Sequence, residues 1–115
     1  MTIKLVAVIM SLTFSVISYA GFEGPGVTLS VVPVNSINDL DDDDEVILEG
    51  YLVKKTGKEE YLFKDKTGEI KVEVDDKKLR GMTVTPETLI RIKGEVDNDW
   101  FSIQIDVDSV EIITK

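Results

Sequence analysis

Carboxylates are the side chains through which this sequence could do chemistry. Asp97 and Asp99 flank Asn98, with Glu95 just before them, Asp106 a few residues on, and Asp75-Asp76 earlier in the chain. Gathered at one end of a sheet, their oxygens would suit a hard cation such as Ca²⁺, which takes about six to eight oxygen ligands. The competing reading is that they are solvated turn acids, the commoner fate in a chain with 22 Asp and Glu. Asp97, Asp99 and Asp106 are therefore weak metal candidates, and no metal centre or other cofactor is expected. The run Asp41-Asp42-Asp43-Asp44-Glu45 poses the same choice between solvation and the docking of a cationic peptide. Trp100 is read as a lid on an apolar core, the alternative being an exposed aromatic that binds. Tyr51, with Lys54, Lys55 and Lys58 around the turn that follows it, could meet an anionic group of a ligand, although surface solubility explains the lysines as well.

Other chemistry is harder to build. The chain has no histidine and no cysteine, which removes the commonest general base and metal ligand, thiol catalysis, disulfides and zinc–thiolate sites. Ser30, Ser36, Ser102 and Ser109 have no imidazole to activate them, and no phosphate-cradling glycine loop is present. Any carboxylate pair could in principle act as acid and base, but so many acids make a pair uninformative. The expectation is a protein without enzymatic activity. A formal net charge of −9 sets long-range repulsion against nucleic acid and anionic membrane surfaces, and attraction toward cations.

Elements must position these residues. Met1 to Ala20 carries Lys4, an apolar run Leu5–Ile17 relieved by Ser11, Thr13 and Ser15, and the close Ser18-Tyr19-Ala20. This predicts a secretory signal peptide cut after Ala20, rather than a buried helix or an anchor, because a span needs about 20 apolar residues. The remaining 95 residues, without Lys4, carry −10. They are expected to insert in no membrane, to bury about 60–65% of their unfolded surface as one small domain, and to be monomeric.

Residues 21–45 read as an N-terminal arm, punctuated by Gly21, Gly24, Gly26, Pro25 and Pro33, with a helical turn capped by Asn35 or Ser36 and running to Leu40. Residues 46–115 read as five strands. Val46, Leu48, Gly50 and Leu52 share a face of the first, and Tyr61 and Phe63 of the second. Asp65-Lys66-Thr67-Gly68 predicts a hairpin with Gly68 in the left-handed region. Ile70, Val72 and Val74 point inward from the third strand. A connector, Asp76 to Pro86, has a helical turn at Lys77–Arg80. Ile90, Ile92, Gly94 and Val96 line the fourth strand, Asn98-Asp99 makes a tight turn, and Phe101, Ile103, Ile105 and Val107 point inward from a fifth strand, Trp100 to Ile113, bent near Asp108-Ser109. Three strands, a connector and a hairpin predict an all-β fold of small helical content. The mid-strand glycines Gly50 and Gly94 fit the bends of a small closed barrel. The five-stranded Greek-key OB-fold is such a barrel, with an SH3-like barrel or a sandwich as rivals.

Six blocks carry a resemblance: Gly21-Phe22-Glu23-Gly24-Pro25-Gly26, Asp42 to Gly50, Tyr61 to Gly68, Glu73-Val74-Asp75, Gly94 to Trp100, and Ile105-Asp106-Val107. In this order and spacing the chain resembles the bacterial OB-fold (BOF) family, the YgiW/YdeI-type periplasmic stress-tolerance proteins. The chain departs from the family's pattern at Leu79-Arg80-Gly81, where a Trp usually precedes the glycine, and at Asn98, where a Lys is usual. The resemblance implies an OB-fold barrel in the periplasm. It implies a non-enzymatic binding protein of envelope stress tolerance, taking a small or cationic ligand, or an envelope glycan or protein partner, and not nucleic acid. OB-folds bind on the face of strands 2 and 3, between the loops joining strands 1–2 and 4–5. Its outward residues here are Glu60, Leu62, Lys64, Glu69, Lys71, Glu73 and Asp75, without the basic groove and stacking aromatics that a nucleic-acid strand needs. Candidate ligand-binding residues are Tyr51, Lys64, Lys71, Glu73, Asp75, Asp97, Asp99 and Trp100. Alternatives for the same chain are sequestration of metal ions or cationic peptides by carboxylates, and a module that engages peptidoglycan or an envelope enzyme.

Overall fold

Period-two alternation becomes the wall of a barrel. The computed structural model describes residues 29–113; the segment read as a signal peptide, its cut site and Gly21–Thr28 of the arm lie outside the described residues. The strands are β1 (Glu45–Lys55), β2 (Glu60–Asp65), β3 (Gly68–Glu73), β4 (Ile90–Asn98) and β5 (Ile103–Ile112). They close in the order β1-β2-β3-β5-β4, antiparallel except where β3 meets β5. This is the Greek-key connectivity of the OB-fold. Among the described residues no helix is long and apolar enough to cross a membrane.

The inward sets are those the alternation marks. Val46, Leu48 and Leu52 from β1, Phe63 from β2, Ile92 from β4 and Ile105 from β5 are all buried. Gly50 and Gly94 occupy buried inward positions of β1 and β4. A Cβ at Gly50 would collide with the Lys64 carbonyl oxygen, and one at Gly94 with the Asp106 carbonyl oxygen, so both glycines stand where another strand crosses too closely for a side chain. The expected bend in β5 is a bulge: Lys93 pairs with Ser109 and Gly94 with Val107, leaving Asp108 as the extra residue.

Four local expectations are corrected. First, Val31–Glu45 is no separate arm: Val31 bridges Ile47 in parallel, and the 3-10 helix Val34–Asp39 puts Val34 and Ile37 in the core. Second, neither Asn35 nor Ser36 caps that helix; Pro33 is the N-cap, and the Val34 N–H donates to Asp65 Oδ2 at 2.9 Å. Third, Gly68 does not take the left-handed region, which among described glycines only Gly81 occupies, at φ 82°. Asp65 Oδ1 closes that hairpin instead, accepting from the Thr67 N–H at 2.7 Å, the Thr67 hydroxyl at 2.6 Å and the Gly68 N–H at 3.2 Å. Burial pulls the Asp65 carboxyl upward, yet these hydrogen bonds and that from Val34 outweigh it and hold the group below its ordinary value. Fourth, the β4–β5 connection is Asp99–Ser102 rather than a turn at Asn98-Asp99, so β5 starts at Ile103. The connector's helical turn is a 3-10 helix at Asp76–Leu79.

Candidate functional site

Alternation sends Glu60, Glu73, Asp106, Glu95 and Glu45 to the outside of their strands, and the register aligns them. Glu60 pairs with Glu73 across β2–β3, Glu73 with Asp106 across β3–β5, Asp106 with Glu95 across β5–β4, and Glu95 with Glu45 across β4–β1. One row of carboxylates thus crosses every strand, at the roughly 5 Å interval of neighbouring strands. Like charges directly opposite one another destabilise a sheet. Relief is partial: Lys71 Nζ lies 3.0 Å from Glu60 Oε2, Lys93 Nζ 3.9 Å from Glu45 Oε1, and Gln104 Nε2 donates to Glu73 Oε1 at 3.3 Å and to Asp97 Oδ2 at 3.4 Å. The acidic run lies against the same end of the barrel. The Asp43 N–H donates to the Val96 carbonyl, the Val96 N–H to the Asp44 carbonyl, and the Asn98 N–H to Asp42 Oδ1.

Glu95 sits in the middle of this field. Repulsion from Asp108, then desolvation, then Asp43, Glu45 and Asp106 push its carboxyl above the ordinary value. A raised acid binds its proton more readily in the folded state, so its ionisation opposes folding. The penalty is complete above the folded value and absent below the unfolded one. Glu95→Gln is therefore expected to raise the thermal midpoint at pH 7, with the gain shrinking to nothing below about pH 4. Melting curves at the two pH values check it; an equal gain at both would assign the effect to something other than charge.

The β4–β5 loop stands at the edge of this face. Asp99 Oδ1 accepts from the Phe101 and Ser102 N–H groups, both at 2.9 Å, and the Asp99 N–H donates to the Ser102 carbonyl at 3.0 Å. These backbone bonds, with the Ser102 hydroxyl and nearby Lys71, outweigh desolvation and hold the Asp99 carboxyl below its ordinary value. The tight loop turns both aromatics outward: Trp100 is 95% exposed and Phe101 97%. Trp100 is thus no lid on the core, and Phe101 is no inward strand residue, because strand pairing stops at Asn98 and Ile103. On the β1–β2 side, Lys58, Glu59, Glu60, Glu73 and Gln104 bound a groove of about 320 Å³.

The structure divides the predicted site residues. Lys71, Glu73, Asp97, Asp99 and Trp100 belong to this face and its loop. Asp75 does not: it caps the connector's 3-10 helix, its Oδ1 accepting from the Lys77 N–H at 3.0 Å, and that bond ahead of any charge effect lowers its carboxyl below the ordinary value. Tyr51 and Lys64 pair with each other across β1–β2 and face a different groove. Among the described residues no three acids converge to hold a metal ion. Of the weak metal candidates, Asp97 meets Gln104 and Asp99 closes its own loop, while Asp106 stands in the row. Sequence reasoning missed Phe101, Gln104 and the row itself. The cluster Asn98-Asp99 with Ser102 two residues past Trp100 is the signal that could have moved Phe101 into the loop, since Asn, Asp and Ser favour side-chain-closed turns.

Comparison with known proteins agrees with the topology. The family model described as bacterial OB fold (BOF) protein matches residues 15–112. Protein YgiW of Escherichia coli (strain K12) is 44% identical over 101 residues, covering 78% of this chain and 78% of that one. The calcium-regulated OB-fold protein CarO of Pseudomonas aeruginosa is 39% identical over 94 residues, covering 82% of this chain and 81% of its own. The solved structure of the hypothetical protein YgiW from E. coli matches with a TM-score of 0.70 and 41% identity, over 81% of this chain and 98% of that one. With a family model spanning all five strands and relatives this similar over most of their length, the chain belongs to the bacterial OB-fold (BOF) protein family.

Proposed function

We propose that this protein is an exported, non-enzymatic binding module of the periplasm. It contributes to envelope stress tolerance by holding a cationic ligand or a basic segment of a partner on its acidic face. The observation that carries this reading is the pair Trp100 and Phe101, almost wholly exposed on a side-chain-closed loop beside a row of carboxylates. Exposed large aromatics at a loop tip are costly to solvate and are used for contact. An aromatic face attracts ammonium and guanidinium groups, most strongly when it is Trp, and the acids beside it favour the same sign of partner. Export rests on the signal-peptide pattern of Met1–Ala20 and on the family resemblance.

Calorimetry with Ca²⁺, Cu²⁺ and a short Lys/Arg-rich peptide tests the binding. The relative named calcium-regulated makes Ca²⁺ the first ion to try. Heat with the peptide that is suppressed by salt is the expected result, because exposed charges are screened beyond about 8–10 Å in ordinary salt. Heat with none of the three removes the reading. Fractionation is expected to find the chain, beginning at Gly21, outside the cytoplasm, and a cytosolic product would remove export.

A further inference from the structure

Charge on the acidic face is spread unevenly. Both ends of the row are neutralised: Glu60 by Lys71, whose ammonium lies 3.0 Å away, and Glu45 by Lys93 at 3.9 Å. Among the described residues the other ion pairs run through Asp75, Glu49 and Glu111, so Glu73, Asp106, Glu95 and Asp97 close none. Lys71 faces Gln104 across β3–β5, but Glu60 engages its ammonium. Four uncompensated carboxylates therefore stand over β3, β5 and β4. Gln104 sits among them. Its Nε2 donates to Glu73 Oε1 at 3.3 Å and to Asp97 Oδ2 at 3.4 Å. These are long hydrogen bonds from a neutral donor, and they leave both carboxylates charged. The loop carrying Trp100 and Phe101 begins two residues after Asp97 and ends two residues before Gln104. The bracketed amide and the exposed rings thus arise from the same two strands.

Two carboxylates on either side of one planar amide nitrogen suit a planar cation with donors on more than one edge. A guanidinium is such a group: five N–H donors in a rigid fork, weakly hydrated, and able to stack on an aromatic face. An ammonium is a compact, strongly hydrated point charge. At a surface this exposed the ammonium gives up more hydration for the same contact, whereas a guanidinium meets carboxylates by its edge and a ring by its face. We propose that the face selects arginine over lysine: a guanidinium of the partner replaces the Gln104 amide between Glu73 and Asp97, with Trp100 and Phe101 available for stacking. The groove of about 320 Å³ gives the side chain room beside Gln104, and its rim sets Lys58 against Glu59, Glu60 and Glu73. This inference rests on the reading of the face as a surface for cations, and adds which cation it takes.

The test titrates the purified protein, by calorimetry at fixed salt, with two peptides that differ only in carrying Arg or Lys at every basic position. The arginine peptide is expected to bind about tenfold more tightly, one decade in Kd. Gln104→Arg supplies the guanidinium from the chain itself, so the preference should fall to about one. Glu73→Gln with Asp97→Asn, which removes the two brackets, should do the same. The ratio of the two affinities is the readout, because a general loss of negative charge weakens both peptides alike. Glu87→Gln, in the groove beside Tyr51, makes such a change and should leave the ratio where it was. Thermal melts report that each variant is folded, and the two site variants alter different residues, so neither alone carries the result. Equal binding of both peptides by the parent, or a preference that survives in Gln104→Arg, would overturn the guanidinium seat and leave the cationic-partner reading standing. Heat with neither peptide removes both, so the two failures are distinguishable.

Discussion

Gly94→Val is expected to destabilise the barrel by about 3 kcal/mol, the upper end of what overpacking a core costs. Gly94 pairs with Val46 on one side and Val107 on the other, at a fully interior point of β4. A Cβ there would drive into the Asp106 carbonyl oxygen, with the Asp106 carbonyl carbon and Ile105 Cγ2 each 3.0 Å away. The first two are backbone atoms of a paired strand, so they cannot swing aside as a side chain would. Moving them would shift the bulge at Asp108 and, with it, the closure of β4 on β5. The control is Gly57→Ala in the β1–β2 loop. Its Cβ would first meet the Glu60 Oε1 atom at 2.9 Å, the far end of a flexible chain that can give way, and a loss under about 0.5 kcal/mol is expected. Urea titrations of the two variants decide the matter: equal midpoints would mean that β4 and β5 do not cross where the register puts them. For a domain with about 5–15 kcal/mol in total, the valine variant loses a large part of its margin.

Both wall glycines are legible in the sequence for one physical reason. Positions 46, 48, 50, 52 and 90, 92, 94, 96 alternate with polar or outer-face neighbours, and glycine occupies one inward place in each series. A glycine where the core wants an apolar side chain signals a close backbone approach. What alternation does not carry is where a strand stops. Phe101, Ile103, Ile105 and Val107 keep period two without interruption, yet pairing begins only at Ile103. The Asp99 carboxylate binds the N–H groups of residues 101 and 102, and this short-range competition outweighs the burial that Phe101 would gain. Gly68 shows the same competition: the Asp65 side chain closes the hairpin, so the backbone need not enter the left-handed region.

The acidic row is legible only in part. Period two says that Glu60, Glu73, Glu95 and Asp106 face outward and nothing about which stands beside which. Their alignment depends on the β4–β5 loop, whose length sets Glu95 opposite Asp106, and on the parallel contact that sets Glu73 beside Asp106. Glu45 completes the row although in the sequence it reads as the end of an acidic run. Tyr51 and Lys64 illustrate the converse. Lys64 is an outward residue of β2, one of the two strands of the OB-fold face, but it pairs with Tyr51 of β1, and their shared groove opens beside Pro86 and Lys66 rather than beside Glu73 and Asp97.

Trp100→Ala with Phe101→Ala is expected to weaken binding of a Lys/Arg-rich peptide by about 10–100-fold while changing stability by less than about 0.5 kcal/mol. The separation of the two effects follows from exposure. Side chains that are 95% and 97% exposed contribute almost nothing to the core, so their loss leaves the barrel intact. Their contact area on a ligand is nearly all new burial, and central aromatic anchors carry most of an interface's energy. Trp100 is the single tryptophan, so a blue shift of its emission on peptide addition reports directly on the loop. Asp99→Ala gives an independent check. It keeps both aromatics but frees the N–H groups of Phe101 and Ser102, so the loop must be ordered on binding and affinity falls while the aromatic area stays the same. The lowered Asp99 carboxyl fixes the sign of the pH response. A depressed acid gives up its stabilising bonds only as pH falls through its folded value, below its ordinary range. Glu95, raised by its neighbours, takes up its proton first. On mild acidification peptide affinity should therefore drop through loss of charge in the row, with the loop still closed and the tryptophan emission of the free protein unchanged. A double variant that binds the peptide as tightly as the parent would move the site off this loop altogether.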